Sequence, residues 1–444
     1  MKIKLIFKRL ILLAAMLCFV PGCAYGADKV YLDIDSPAWK QFVIAVPDFQ
    51  NAVGKIGLPD NQAALFSDQL SNFLQITAFF NVVNKKAYLD DNKASNVSAD
   101  EIRFADWLAI GAEYLVQGNF QQRGGDLILE GRLYDVVKAE VVVVKKYAGK
   151  AADGKTMLRK FAAEILLALT GDGSVFSTRI AFVMKKGKAT DILSINYDGT
   201  GLIKEIESKT ILMSPRWAPE ARYLAFTSFE DGNPDFYVKD MSNAAVKKIS
   251  SFRGINLPGS WSPDGRKVLV TLSKDGNEEI YLLDFGSKIL QRLTDNYAID
   301  VSPVWSPDGS KIAFVSNRSG SPQIYIMDGD GNNARRITFT GNYNTSPAWS
   351  PKGDRIAYES SVDGRFQIFT TSTDGENVKQ LTFDSGEAKS PSWSPDGRYL
   401  SFSKSNGDKK KIYIMTASGL NVRLLYEGAG DCVSAAWSPR LKAD

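Results

Sequence analysis

The sequence predicts a two-domain protein: a small N-terminal α/β domain followed by an all-β six-bladed β-propeller closed by the C-terminal strand. Three observations carry this expectation. Six of the eight tryptophans, Trp217, Trp261, Trp305, Trp349, Trp393 and Trp437, stand 44 residues apart, and each opens a Trp-x-Pro tripeptide. The last rung has only five residues after its proline, while Arg179-Ile180-Ala181-Phe182-Val183 repeats the pattern of Lys311-Ile312-Ala313-Phe314-Val315 with no tryptophan in front of it. Before about residue 172 the repeat is missing, and helical and strand periodicities alternate.

In chain order, residues 1–26 read as a signal peptide. Lys2, Lys4, Lys8 and Arg9 form its basic region, and Leu10 to Val20 an apolar run too short for a membrane span. Ala24-Tyr25-Gly26 offers a small-x-small cleavage site, the preferred reading. The alternative is Val20-Pro21-Gly22-Cys23, a lipoprotein box in which Cys23 is acylated.

Residues 27–172 form the N-terminal domain. Val30 to Asp35 alternates apolar and acidic residues, as a strand with one wet face does. Phe42 to Val46 is a buried strand ended by Pro47, and residues 60–76 a helix with Phe66, Leu70, Phe73 and Leu74 on one side. Phe79 to Val83 is a short strand. Ser98-Ala99-Asp100-Glu101 is a capping box before a helix reaching Ala112. Tyr114–Phe120, Leu127–Tyr134 and Glu140–Tyr147 read as a three-stranded meander, and Lys155 to Leu169 as a helix. Gly171-Asp172-Gly173 is the hinge.

Residues 173–444 form the propeller. In its fullest blade Val301–Ser306 is the first strand, Pro307-Asp308-Gly309 a tight turn, and Lys311–Ser316 a strand apolar on both faces, as stacked blades require. Gln323–Asp328 and Ala334–Thr338 complete the four. Counting back 44 residues from Trp217 places residues 179 to about 208 as strands two to four of a sixth blade, whose first strand is the C-terminus. Closure removes free sheet edges. The tryptophans read as core between blades rather than as a ligand cage. Trp39 is out of register with them.

Composition excludes several functions. Removing residues 1–26 leaves 50 basic against 50 acidic residues, without the basic excess a nucleic-acid partner needs. There is no histidine, so no Ser-His-Asp or Cys-His machinery and no His-ligated metal is possible. Cys432 would be the only mature cysteine, which excludes an intrachain disulfide. Residues 149–156, Gly-Lys-Ala-Ala-Asp-Gly-Lys-Thr, fit the phosphate-loop pattern, but the strand before them reads as antiparallel, so they are taken as a loop entering a helix. Asp328-Gly329-Asp330-Gly331-Asn332-Asn333 starts like a calcium loop but has Phe339 where the bidentate Glu belongs, and is taken as a turn. No Gly-x-Ser-x-Gly elbow exists. No enzyme, metal site or cofactor is expected.

The chain resembles the TolB family of the Tol–Pal envelope system. The resemblance rests on the export signal, Asp28-Lys29-Val30-Tyr31-Leu32-Asp33-Ile34-Asp35, Leu169-Thr170-Gly171, Thr178 to Phe182, the Trp-Ser-Pro-Asp-Gly repeats and Ala436-Trp437-Ser438-Pro439. It implies a periplasmic adaptor that binds the lipoprotein Pal through the propeller and TolA through the N-terminal segment, supporting outer-membrane integrity and constriction at division. It also implies that bacteriocins are possible partners, and that the membrane is reached only through partners. Carried onto this sequence, the TolA segment is Asp28, Lys29, Val30, Tyr31, Leu32, Asp33, Ile34 and Asp35, which suits β-strand addition to a foreign sheet. The Pal face is Ile255, Asn256, Leu257, Asp300, Val301, Ser302, Thr345, Ser346, Lys389 and Ser390. Ile255 departs from the histidine of familiar members. The alternative is an exported propeller enzyme or ligand-binding protein that uses its tunnel.

Overall fold

Six four-stranded antiparallel sheets follow one another from residue 179, each built from consecutive strands except the one that joins residues 179–206 to the last strand. The computed structural model describes residues 40–52, 61–89, 102–286, 288, 290–383, 385–405, 407 and 409–441. The export segment, residues 28–35, Trp39 and the capping box at 98–101 lie outside them.

The N-terminal sheet has the order β3-β1-β4-β5-β6, with β2 on β4. Its strands are β1 (Phe42–Ala45), β2 (Gln50–Asn51), β3 (Phe80–Val82), β4 (Tyr114–Arg123), β5 (Asp126–Asp135) and β6 (Glu140–Lys150). β1 lies parallel to β3 and β4, whereas β4, β5 and β6 form the expected antiparallel meander. Period-two alternation decides what each face covers. Val116 and Leu133 pack with helices α1 (Gln62–Gln75) and α3 (Gly154–Thr170); Leu115 and Tyr134 turn the other way, onto Trp107 of the short helix α2 (Phe104–Ala109). That helix is shorter than the sequence pattern indicated, ending at Ala109 rather than Ala112.

The six inner strands are Leu212–Trp217, Asn256–Trp261, Asp300–Trp305, Asn344–Trp349, Ala388–Trp393 and Cys432–Trp437. The last pairs with β7 (Arg179–Lys186), which continues to β8 (Ala189–Asn196) and β9 (Ile203–Ile206), so the C-terminal strand closes the ring in the register Trp437 opposite Ile180. Five inner strands bulge at Ser214, Ser302, Ser346, Ser390 and Ser434, whose φ angles are 53°, 55°, 54°, 56° and 56°. The register of each strand shifts at that point. Trp261, Trp393 and Trp437 are buried, and Trp217, Trp305 and Trp349 half-buried. The core reading therefore holds most fully for three rungs. The Trp393 indole also ties two blades together, its Nε1 donating to Ala348 O at 3.0 Å.

The joint at 171–173 is held firmly, contrary to a free hinge. Gly171 ends α3 with φ 77°. A Cβ on Gly173 would lie 2.2 Å from Ala163 O, so only glycine permits this approach. Arg398, buried in the fifth tryptophan blade, donates from Nη1 to Thr170 Oγ1 (3.1 Å) and from Nη2 to Thr170 O (3.1 Å), and lies over the Phe79 ring. Tyr399 Oη donates to Thr77 O and Tyr197 Oη to Ile76 O, both at 2.6 Å. One apolar cluster runs from Leu70 and Phe161 through Phe176 to Tyr399 and Trp437, so the N-terminal sheet and the propeller share a core.

Candidate functional site

Several concave regions and one rim stand out among the described residues. The rim lies at the end of the ring where the chain enters each inner strand. Antiparallel topology puts these entry loops at the end opposite the Trp-Ser-Pro turns, and those turns and their neighbours, at Asp396–Arg398 and Tyr197, are what meet the N-terminal domain. The entry loops carry large apolar side chains in water: Tyr297 is 87% exposed, Phe339 70% and Phe383 77%, with Phe252, Ile299 and Tyr343 also exposed. These side chains fall in four consecutive entry loops and make an exposed apolar patch at this end, a candidate contact surface.

The positions expected for Pal binding fall beneath and beside this rim. Asn256 and Asp300 are fully buried. The Asn256 amide donates from Nδ2 to Phe252 O (2.7 Å) and to Gly254 O (3.1 Å), while its Oδ1 accepts from Phe252 N (2.9 Å). It is the internal brace of its loop. Asp300 Oδ2 accepts from Asn296 Nδ2 and Arg318 Nη2, both at 2.8 Å. These two side chains are buried at the starts of their strands and shape the mouth from beneath; Asp300 Oδ1 has no hydrogen-bond partner among the described residues. Ile255, Leu257, Val301 and Thr345 are half-buried, and Ser302, Ser346 and Ser390 line the central lumen. Lys389 stands over the Phe366 ring and pairs with Glu387 at 2.9 Å. Phe366 in turn meets Tyr343 edge-on, so Tyr343, Phe366 and Lys389 form one group at the rim.

Sequence reasoning reached the inner-strand starts but missed the rim aromatics. A signal was present: Phe339 and Phe383 are 44 residues apart, each directly after a fourth strand, in loops otherwise polar. A repeated aromatic in a loop has no core to fill.

A concavity of about 740 Å³ lies between α3, β6 and the start of the propeller. Lys146, Arg159, Lys160 and Arg179 line it, but two of these cations are engaged. Arg179 donates to Ser194 Oγ (2.8 Å), Asn196 Oδ1 (2.7 Å) and Ser194 O (2.9 Å), and Arg159 lies 3.8 Å from Asp198. The phosphate-loop-like stretch borders it. There β6 is an antiparallel strand, Lys150 N donates to Asp153 Oδ2 (3.2 Å), and that carboxylate occupies the helix start where a phosphate would sit. The stretch is a strand-to-helix connection, as its antiparallel strand required. At 328–333 the carboxylates are taken up by the turn: Asp330 accepts from Asn332 N (3.1 Å) and Asp328 from Asn333 Nδ2 (2.6 Å). Among the described residues no group of three or more acidic or cysteine side chains is placed to hold a metal.

Fold and surface together define a class: a two-domain protein in which an α/β domain is fused to one end of a closed six-bladed propeller, whose other end is an apolar rim. A family profile described as the TolB beta propeller domain matches residues 167–441, and one described as the TolB amino-terminal domain matches residues 30–142. The chain belongs to the TolB family. It is 47% identical over 249 residues to the Tol-Pal system protein TolB of Syntrophus aciditrophicus, covering 55% of each chain. It is 37% identical over 254 residues to that of Desulfosudis oleivorans, covering 57% of each. The chain thus spans about half the length of the curated relatives it matches. The crystal structure of TolB from Acinetobacter baumannii superposes with a TM-score of 0.78 at 28% identity, covering 90% of this chain and 97% of that one.

Proposed function

We propose that this protein is a non-catalytic periplasmic adaptor of the Tol–Pal system that docks the lipoprotein Pal on its propeller rim. The observation that carries the reading is the exposed aromatic series Tyr297, Phe339 and Phe383 at the end of the ring left free by the N-terminal domain. Aromatic side chains on a rigid scaffold supply much of the energy of protein interfaces. Ile255, Leu257, Val301, Thr345 and Lys389 flank them, Asn256 and Asp300 lie beneath, and Ser302, Ser346 and Ser390 stand at the opening of the lumen. Residues 28–35 serve as the TolA segment after removal of residues 1–26. The domain limits 27–172 and 173–444 belong to the same reading, as do the roles in outer-membrane integrity and cell division.

Titration with the organism's own Pal tests it. Replacing Phe339 and Phe383 together by Ser is expected to weaken Pal binding by more than about 100-fold, as loss of two anchor residues does. Unchanged affinity in the folded double variant would discard the rim. Deleting residues 28–35 is expected to abolish TolA capture while leaving Pal binding intact.

A further inference from the structure

The inner strands enclose a lumen of about 290 Å³. Among the described residues that line it, Arg216 is the only charged side chain. Its repeat counterparts, one per blade, are Ser260, Val304, Ala348, Ser392 and Ala436, all small or medium-sized and uncharged. One blade therefore projects a guanidinium into a ring that is otherwise narrow and neutral.

That guanidinium is under-used. Its one hydrogen bond within the described structure runs from Nη1 to Pro215 O at 3.1 Å, and no carboxylate pairs with it there. It is partly accessible by area, yet it sits deep in the ring, so the water it meets is lumen water rather than bulk solvent. Burial pushes its pKa down, and no carboxylate acts to restore it. Arginine does not answer such desolvation by losing its proton. A desolvated charge without a partner is costly, so the position asks for an anion.

The wall at the same level is prepared for one. Ser260 Oγ accepts from Trp305 N at 2.7 Å and Ser392 Oγ from Trp437 N at 2.9 Å. Each oxygen is thus occupied by a backbone N–H, while neither hydroxyl proton is given to a protein acceptor in the described structure. Both O–H groups are free to donate toward the lumen. Glu359, behind the wall, accepts from Ser390 N at 2.6 Å, and burial raises its pKa, which weakens it as a counter-charge.

We propose that the propeller lumen is an anion site, in which a small oxyanion such as phosphate, sulfate or a simple carboxylate lies against Arg216 and accepts from Ser260 and Ser392. The planar guanidinium presents paired N–H groups that match two oxygens of such an ion. Titration of the full chain with inorganic phosphate at constant ionic strength is the test. One saturable site is expected, weakened at least about tenfold in Arg216→Gln and restored in part by Arg216→Lys. Equal affinity in a folded Arg216→Gln protein would place the ion elsewhere and overturn the assignment, as would absence of a saturable site for phosphate and sulfate. Crystals of the unaltered protein soaked in selenate give a reading independent of any variant: anomalous density beside Arg216 is expected, and a lumen without it overturns the proposal.

Discussion

Asp264, Asp308 and Asp396 occupy the same place in the same Trp-Ser-Pro-Asp-Gly turn, yet their environments set opposite properties. The Ser306 hydroxyl, at 2.5 Å, and Ser310 N, at 3.0 Å, donate to Asp308 and bring its pKa down to about 2. The Ser262 hydroxyl and Arg266 N lower that of Asp264 in the same way. Asp396 receives the matching bonds from Ser394 and Arg398 N, but burial beneath the N-terminal domain outweighs them and raises its pKa, with Asp172 adding repulsion. The consequences for stability differ in sign. For Asp308 the folded pKa lies below the ordinary 3.8, so its contribution is complete above that value and is lost as pH falls toward about 2. Asp308→Asn is expected to lower stability at pH 6 and to do so much less near pH 2, by chemical denaturation. For Asp396 the ionised form is the disfavoured one, so Asp396→Asn is expected to raise stability at pH 7 and to lose that advantage below 3.8.

At the scale of elements, one close approach decides where a strand and a helix sit. Gly131 in β5 faces α3, and a Cβ there would lie 2.3 Å from the Phe161 ring. Gly131→Ala is expected to cost about 1–3 kcal/mol through overpacking, and pairing it with Phe161→Leu should recover part of that loss in equilibrium unfolding. The second element is the closing strand. Cys432 is buried at its start, and burial pushes its thiol up to about 11. A thiol of that kind reacts slowly near neutral pH. Alkylation read out on the Cys432 peptide is therefore expected to be slow in the native protein and to follow global unfolding; fast labelling under native conditions would mean that the C-terminal strand peels away alone.

For the whole molecule, the shared core between the N-terminal sheet and the propeller makes the two parts thermodynamically dependent. A single calorimetric transition is expected. Arg398 is the buried group that bonds both ends of the joint, and its removal leaves Thr170 O without that donor and Asp396 without its neighbouring cation. Arg398→Ala is expected to cost about 3–5 kcal/mol and to split the transition in two. Retention of one transition with little loss would show that the apolar cluster alone couples the parts.

The 44-residue spacing was sufficient by itself to determine the number of blades, the order of strands within each and the meeting of residues 179–183 with the C-terminus. It acts through local chemistry: Pro and Gly set the turns, and alternating apolar residues set the strands. The meander of β4 to β6 and the helices around Leu70 and Phe161 were legible for the same reason. What the repeat concealed is which copies differ in surroundings. That Asn256 and Asp300 are buried at the mouth was not legible, because burial depends on loops that fold back over them. Arg216 looked like one more residue before a tryptophan until six strands brought its counterparts to one level. Asp308 and Asp396 are identical in their turns and unlike in the fold, since only the tertiary structure decides which turn meets water and which lies under another domain.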